Sequence, residues 1–367
     1  MRYRTSVKSG KHSAGLDQFL LPFVILTFVI LFSPAGSRAQ GCIVARSTGT
    51  VGGPESEGGY LEAGHWEVEI DYRHQFSFRH YVGDVEQTYR FELGNQVENR
   101  INLQNMQITY QLKPRWSLFV NMPVLFASRR ANNAIFTYHS EGIGDTIIGT
   151  QRWMWDPLKN PSHNIGITAG LQIPTGNDGV KNNVIKTVGA SPVTVPVDYS
   201  IQPGTGGWGI VLAVNSFQNL GKTAQFYFNG SYIITPQNTT DVLRNPTATT
   251  QDPLNEYASI SDEYLVQAGI AYPVASVKGL TLTFGPRDEG VPAHDLIGQS
   301  LGFRRPGFAM SLEPGFQYTR WKSMFAFSVG RAIWRARVKS VPDIMEGTHG
   351  DAAFADWVWL ATLTHRF

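Results

Sequence analysis

Nine histidines and a single cysteine are the residues of widest chemical repertoire in this chain. A metal site needs His, Cys, Asp or Glu at a short fixed spacing on one face, and the histidines show no such pairing. Cys42 alone closes no intramolecular disulfide and builds no multi-cysteine centre. A hydrolase built on Ser and His needs both to converge at one point. His139 beside Ser140 and His349 beside Asp351 are the candidates, and both pairs lie in loop-like sequence with no third residue to orient them. The glycines of Gly142-Ile143-Gly144 and Gly204-Thr205-Gly206 precede no helical pattern, so they do not cradle phosphate. No catalytic residue, metal or cofactor is expected.

Charge at every second position is more informative. Glu67, Glu69, Asp71 and Arg73 alternate with Trp66, Val68, Ile70 and Tyr72, and Arg331, Arg335 and Arg337 share one parity near the other end. Period two places successive side chains on opposite faces of a strand. If the apolar face meets lipid, these seven residues line an interior with both signs of charge. They then either select solutes or neutralise one another and stiffen the lining. Arg366 is expected beside Glu67 or Glu69 where the first and last strands meet.

The strands that position these residues recur along the chain. Met106, Ile108, Tyr110 and Leu112 alternate with Asn105, Gln107, Thr109 and Gln111, and Ile165, Ile167, Ala169, Leu171 and Ile173 with Asn164, Gly166, Thr168, Gly170 and Gln172. Similar runs lie near Trp116, Trp208, Phe226, Tyr264, Leu280, Phe308 and Trp357. Thr146 to Trp155 and Ser323 to Arg337 are less regular, with Gln151 and Ser328 on the apolar parity. Short connections, such as Lys113–Arg115 and Thr319–Lys322, alternate with long ones, such as Pro123–Gly144, Pro174–Gly206 and Gly285–Pro306. That alternation predicts an all-β, transmembrane, antiparallel up-and-down β-barrel of about twelve strands, with short periplasmic turns and long extracellular loops. Aromatic residues at the strand ends, Trp66, Trp116, Trp153 and Tyr318 on one side and Trp208, Tyr264, Phe308 and Trp357 on the other, suit two interfacial girdles. A soluble sandwich would need no strict alternation of loop lengths.

Composition agrees. The mean hydropathy is −0.17, and beyond residue 32 no apolar run approaches the ~20 residues of a spanning helix. Residues 1–39 read as a signal peptide, with Arg2, Arg4, Lys8 and Lys11 ahead of the apolar run Phe19 to Phe32 and small residues Ser37 and Ala39 before Gln40. Lipidation of Cys42 is the rival reading there. Residues 40–64 read as a flexible periplasmic segment that tucks, at most, into the lumen, and 65–367 as the barrel. The leader carries five basic residues against Asp17, so the formal charge of +2 for the whole becomes −2 for the remainder, and nothing suggests a nucleic-acid partner.

Three short motifs stand apart: Gly142-Ile143-Gly144-Asp145-Thr146, Gly170-Leu171-Gln172-Ile173-Pro174-Thr175-Gly176 and Gln202-Pro203-Gly204-Thr205-Gly206. With the closing strand Trp357 to Phe367, they resemble the outer-membrane barrel family named for the meta pathway of phenol degradation. The resemblance spans roughly Gly64 to Phe367. It implies a cell outer-membrane location, outer-membrane lipid around the barrel, an assembly signal at Phe367 read by the barrel-assembly machinery, and transport of aromatic or apolar small molecules. His365 departs from the usual terminal pattern. The function expected is a passive channel or facilitator for a small-molecule solute. An outer-membrane lipid hydrolase and a structural or adhesive surface barrel are the alternatives.

Overall fold

The computed structural model describes residues 60–367 apart from Lys222 and Thr247. The leader, its cleavage point, Cys42 and residues 40–59 lie outside them. Twelve strands form the wall: β1 Trp66–Val82, β2 Val97–Lys113, β3 Trp116–Ala131, β4 Thr146–Trp153, β5 His163–Ile173, β6 Gly209–Leu220, β7 Ala224–Ile234, β8 Glu263–Pro273, β9 Leu280–Val291, β10 Gly307–Arg320, β11 Ser323–Arg337 and β12 Ala352–Arg366. Each pairs antiparallel with its sequence neighbours, and β12 pairs with β1 from Glu67↔Arg366 to Tyr81↔Ala352. The ring is therefore closed, as expected. Closure is what a sheet in lipid requires, because an open edge would leave its N–H and C=O groups without partners.

The predicted face assignment holds through the membrane band. Ile70, Met106, Leu118, Ile148, Ile167, Leu171, Leu212, Ile270, Leu282, Phe325 and Leu363 point out and are exposed, while Asp71, Asn105, Ser117, Thr168, Gln267 and Thr362 are buried inside. Trp66, Trp116, Tyr272, Tyr318 and Phe367 ring the short-turn end, and Trp208, Trp334 and Trp357 the long-loop end. Two of the expected girdle residues are elsewhere. Trp153 packs against Phe217 and Tyr60, and Phe308 is buried edge-on against Trp334.

Several strands run further than their alternation suggested. β3 continues through Pro123 to Ala131, and β9 continues through Gly285 and Pro286 to Val291. The β8–β9 ladder breaks between Gln267↔Arg287 and Ile270↔Phe284, where Pro286 has no N–H to give, yet the β9–β10 ladder continues on the other side. In the upper part of β2 polarity inverts, while β3 keeps the apolar Phe126 exposed on its outer face. Ile101, Leu103, Leu125 and Ala127 point inward and pack on Val197 and Ile201 of the loop after β5, whereas Arg100, Asn102 and Gln104 face out. Beyond the bilayer the outer face meets water, so the apolar side of the strand turns inward, as in a soluble protein.

The irregular β11 contains a bulge. Register with β10 shifts between Met310↔Trp334 and Ser311↔Ala332, and Ile333 and Trp334 are both exposed. One extra residue reverses parity. Ser328 is therefore inside on an even number, and Arg335 and Arg337 are inside on odd ones. Arg331, below the bulge, is on the outer face, where its guanidinium lies 5.3 Å over the Trp357 ring. The expectation that it lines the pore is corrected accordingly.

Candidate functional site: the lumen and its extracellular cap

The inner faces of β1 and β7 to β11 meet in a layer of charged and amide side chains. Arg73 reaches across the lumen to Glu289, donating to both carboxylate oxygens and also to Gln75. Glu289 also accepts from Arg287 at 2.9 Å, and Arg287 lies 3.6 Å from Glu313. Glu313 accepts from Ser328 at 2.6 Å and from Gln267 at 3.1 Å, and Gln267 accepts from Asn229. Arg73, Arg287, Gln267 and Glu313 are at most 1% exposed, so this side of the lumen is filled. Two arginines against two glutamates leave no net charge. A buried ion layer is tolerable only when paired this way. On the opposite wall Gly166, Thr168 and Gly170 of β5 offer little bulk inward.

The other predicted lining residues take several places. Glu67 accepts from Arg366 Nε at 2.7 Å, the closure contact anticipated from the sequence. Glu69 lies beside Thr364, and Asp71 accepts from Thr362 at 2.8 Å. Arg335 is inside but held by Asp356, Tyr81 and the Ala355 carbonyl. Arg337 is buried in the cap, 2.6 Å from Asp343 of a short helix, α1 Val341–Glu346. The residues that complete the charged layer, Arg287, Glu289 and Glu313, were not singled out, although Thr281, Thr283, Arg287 and Glu289 continue one polar parity straight through Pro286.

Above this layer the long loops fold inward. The three Gly/Pro motifs, separate in sequence, close on one point. Asp145 accepts from Gly176 N at 3.0 Å, Thr205 N at 2.7 Å and Thr205 Oγ1 at 2.6 Å, while Thr175 Oγ1 donates to the Gly144 carbonyl at 2.9 Å. Gly206 has φ 81°, a left-handed conformation that glycine adopts without steric cost. Gly204 is needed for space instead, since a Cβ there would stand 2.3 Å from the Gly176 carbonyl oxygen. This clasp fixes the ends of segment 177–203, which carries Asp198 over the lumen.

Asp198 binds Arg305 through both oxygens, at 2.8 and 2.7 Å, and lies 3.5 Å from Arg129. Arg305 also rests against Tyr199 and Phe303. Burial pushes the Asp198 carboxyl up, but the Arg129 and Arg305 guanidiniums outweigh that and hold it well below the usual carboxylate range. Its contribution to the cap is therefore complete above the ordinary carboxylate pKa and lost only as pH falls well below it. Pepsin cleavage between residues 177 and 203 should accordingly appear only in strong acid. Asp198→Asn should move the onset of that cleavage to higher pH within the acid range in which pepsin works, each digestion being normalised to an unfolded substrate at the same pH.

Beneath the cap is a cavity of about 200 Å³ lined by Tyr138, Val197, Tyr199, Val242, Ile260 and Arg244 among others. A smaller apolar recess of about 30 Å³, bounded by Leu103, Leu125, Ile147, Pro203 and Ile233, shares Ser200 and Gln202 with it. At the periplasmic mouth Tyr60 stands edge-on to Trp153, with ring centroids 5.6 Å apart, and near Phe217.

The acid–base candidates do not assemble. Ser140 donates to the Ile201 carbonyl, the His139 backbone bonds to Asn182, and His349 Nε2 bonds to the Arg337 carbonyl. Asp351 instead pairs with His80, whose other nitrogen accepts from Val97 N. One run missed at the sequence level, Gly298-Gln299-Ser300-Leu301-Gly302, has the spacing of a nucleophile elbow, and Ser300 has φ 58°. However, Ser300 is buried, its Oγ accepts from Asp295 N, no histidine nitrogen bonds to it among the described residues, and no helix follows.

No family model matches the chain, and no curated protein is similar to it in sequence. Its shape does match solved structures. An outer membrane channel from Pseudomonas putida F1 is 14% identical, with a TM-score of 0.56, covering 85% of this chain and 98% of that one. The translocator domain of the autotransporter NalP from Neisseria meningitidis is 12% identical over 84% of this chain and 90% of its own, with a TM-score of 0.45. The Ralstonia pickettii toluene transporter TbuX is 9% identical over 84% and 91%, with a TM-score of 0.42. The first likeness supports the architecture derived above: the chain is a closed, twelve-stranded antiparallel barrel of the outer-membrane kind.

Proposed function

We propose that this protein is an outer-membrane channel that lets small apolar or aromatic molecules pass down their gradient. The observation that carries the reading is a membrane-spanning ring holding, on its long-loop side, a cavity of about 200 Å³ in which Tyr138, Val197, Tyr199, Val242 and Ile260 share the wall with polar and charged side chains such as Arg129, Asp198, Arg244 and Glu263, and which borders an apolar recess. A cavity of roughly 150 Å³ is enough to take benzene. The toluene transporter and the channel among the structures of similar shape are in keeping with this, and so is the resemblance of the three clasped motifs to the phenol-degradation barrels. Below the cavity, a solute would pass between the charged layer and the thin inner face of β5. Phe367 is exposed at the short-turn rim with its N–H on the Trp66 carbonyl, which leaves its ring accessible, in keeping with a role as the signal read by the assembly machinery. The purified full chain in a planar bilayer should give discrete conductance steps, or in liposomes speed the uptake of a monocyclic aromatic. Correctly folded protein that is silent in both assays would overturn the proposal.

A further inference from the structure

Arg331 lies on the outer face among apolar nearest neighbours, with Asp288 on β9 and His74 on β1 the ionisable groups of the same face nearby. Leu312 and Trp357 are its partners on β10 and β12, and Ile333 and Trp334 stand above it on β11. The row continues across the β12–β1 bulge to Phe76, and Phe76 pairs with Arg100 on β2, whose guanidinium lies 4.6 Å over the Phe76 ring. Four adjacent strands thus present cation, aromatic, aromatic, cation, about 14 Å from end to end at the usual strand spacing of ~4.8 Å. Neither arginine has a carboxylate partner among the described residues.

Height along the wall says what meets this row. Arg331 is eight residues above the start of β11 at the short turn, roughly 20 Å up a tilted strand, which is the outer edge of an apolar band ~25 Å tall. Arg100 is three residues from the long-loop end of β2 and therefore higher. It borders an open outer groove with Asn102, Ser128, His139 and Glu141. A lipid-facing cation costs about 2–4 kcal/mol at midplane and little at the interface, so these positions are ones where a head group can meet the charge. Each guanidinium lies over an aromatic ring, and among the described residues neither donates a side-chain hydrogen bond to a protein group, so its N–H donors are available to a ligand.

We propose that Arg331, Trp357, Phe76 and Arg100 form a docking strip for a phosphorylated glycolipid of the outward-facing leaflet. Arg331 takes a phosphate at the acyl boundary, and Arg100 takes one on the sugar head above, where Asn102, Ser128 and His139 meet its hydroxyls. The rings contact the acyl chains and the lower sugar face. The inference depends on outer-membrane placement and not on transport.

Native mass spectrometry of the full chain in detergent, titrated with bisphosphorylated lipid A or with the same lipid dephosphorylated, tests it. The phosphorylated form should remain bound to the wild type, and Arg100→Gln with Arg331→Gln should weaken retention at least tenfold. Arg152→Gln, which removes a cation over Trp116 at the opposite rim, should not. Heat-modifiable gel mobility verifies that each variant is folded. Equal retention by the double variant, equal retention of the dephosphorylated lipid, or no retention by the wild type would each overturn the strip.

Discussion

Replacing Glu289 by Ala should destabilise the barrel by about 3–5 kcal/mol, and replacing Arg73 and Glu289 together should cost less while opening the lumen. The single change leaves Arg73, fully buried, with only the amide of Gln75 as a partner, and it removes the nearer of two carboxylates from Arg287. An uncompensated buried charge carries a penalty of that size. The double change deletes one charge of each sign, so the layer remains neutral and the desolvation cost falls. It also removes the connection from β1 to β9 across the lumen. Urea unfolding followed by gel mobility should rank the single variant below the double. Single-channel recording should show the folded double variant conducting several times more than the wild type. Unchanged conductance would place the barrier in the cap.

The second large effect concerns the clasp. Gly204→Ala drives a Cβ into the Gly176 backbone, whose carbonyl carbon would be 2.4 Å away, and backbone cannot swing aside as a flexible side chain can. Overpacking of this kind costs about 1–3 kcal/mol or more, here relieved by unseating segment 177–203. Asp145→Ala attacks the same point electronically, removing an anion that accepts three hydrogen bonds, at a net cost of about 3 kcal/mol given 1.5–3 for a charged bond. Both variants should be nicked by protease between residues 177 and 203 while the wall strands stay protected. A cap that remained resistant in both would show that the Asp198 ion pairs hold it without the clasp.

Much of the barrel was legible because lipid and lumen impose opposite demands on alternate residues, and because turn length follows from which side of the membrane a turn is on. Strand number, the inward placement of Glu67, Glu69, Asp71 and Arg73, and the Arg366–Glu67 contact followed from those two rules. Arg331 did not. A single extra residue in β11 reverses parity, and the composition of the run carries no mark of it apart from Ser328 on the wrong side. Pro286 concealed Arg287 and Glu289, since a proline looks like a strand end although only one of its two neighbouring ladders is interrupted. The glycines of the motifs were recognisable as structural, but Gly204 serves close approach and not an unusual dihedral, which depends on a neighbour 28 residues away in sequence. The inward apolar cluster of β2 and β3 was hidden because alternation alone does not reveal which face is wet.

That reversal of polarity along β2, with Met106 outward below it and Gln104 outward above it, amounts to a waterline written into the strand. The barrel cannot sink further without drawing Gln104, Asn102 and Arg100 into oil, nor rise without lifting Met106 and Ile108 into water. The depth at which the molecule floats, and hence which of its loops can be touched from outside, is thereby fixed by a swap of two adjacent side-chain types.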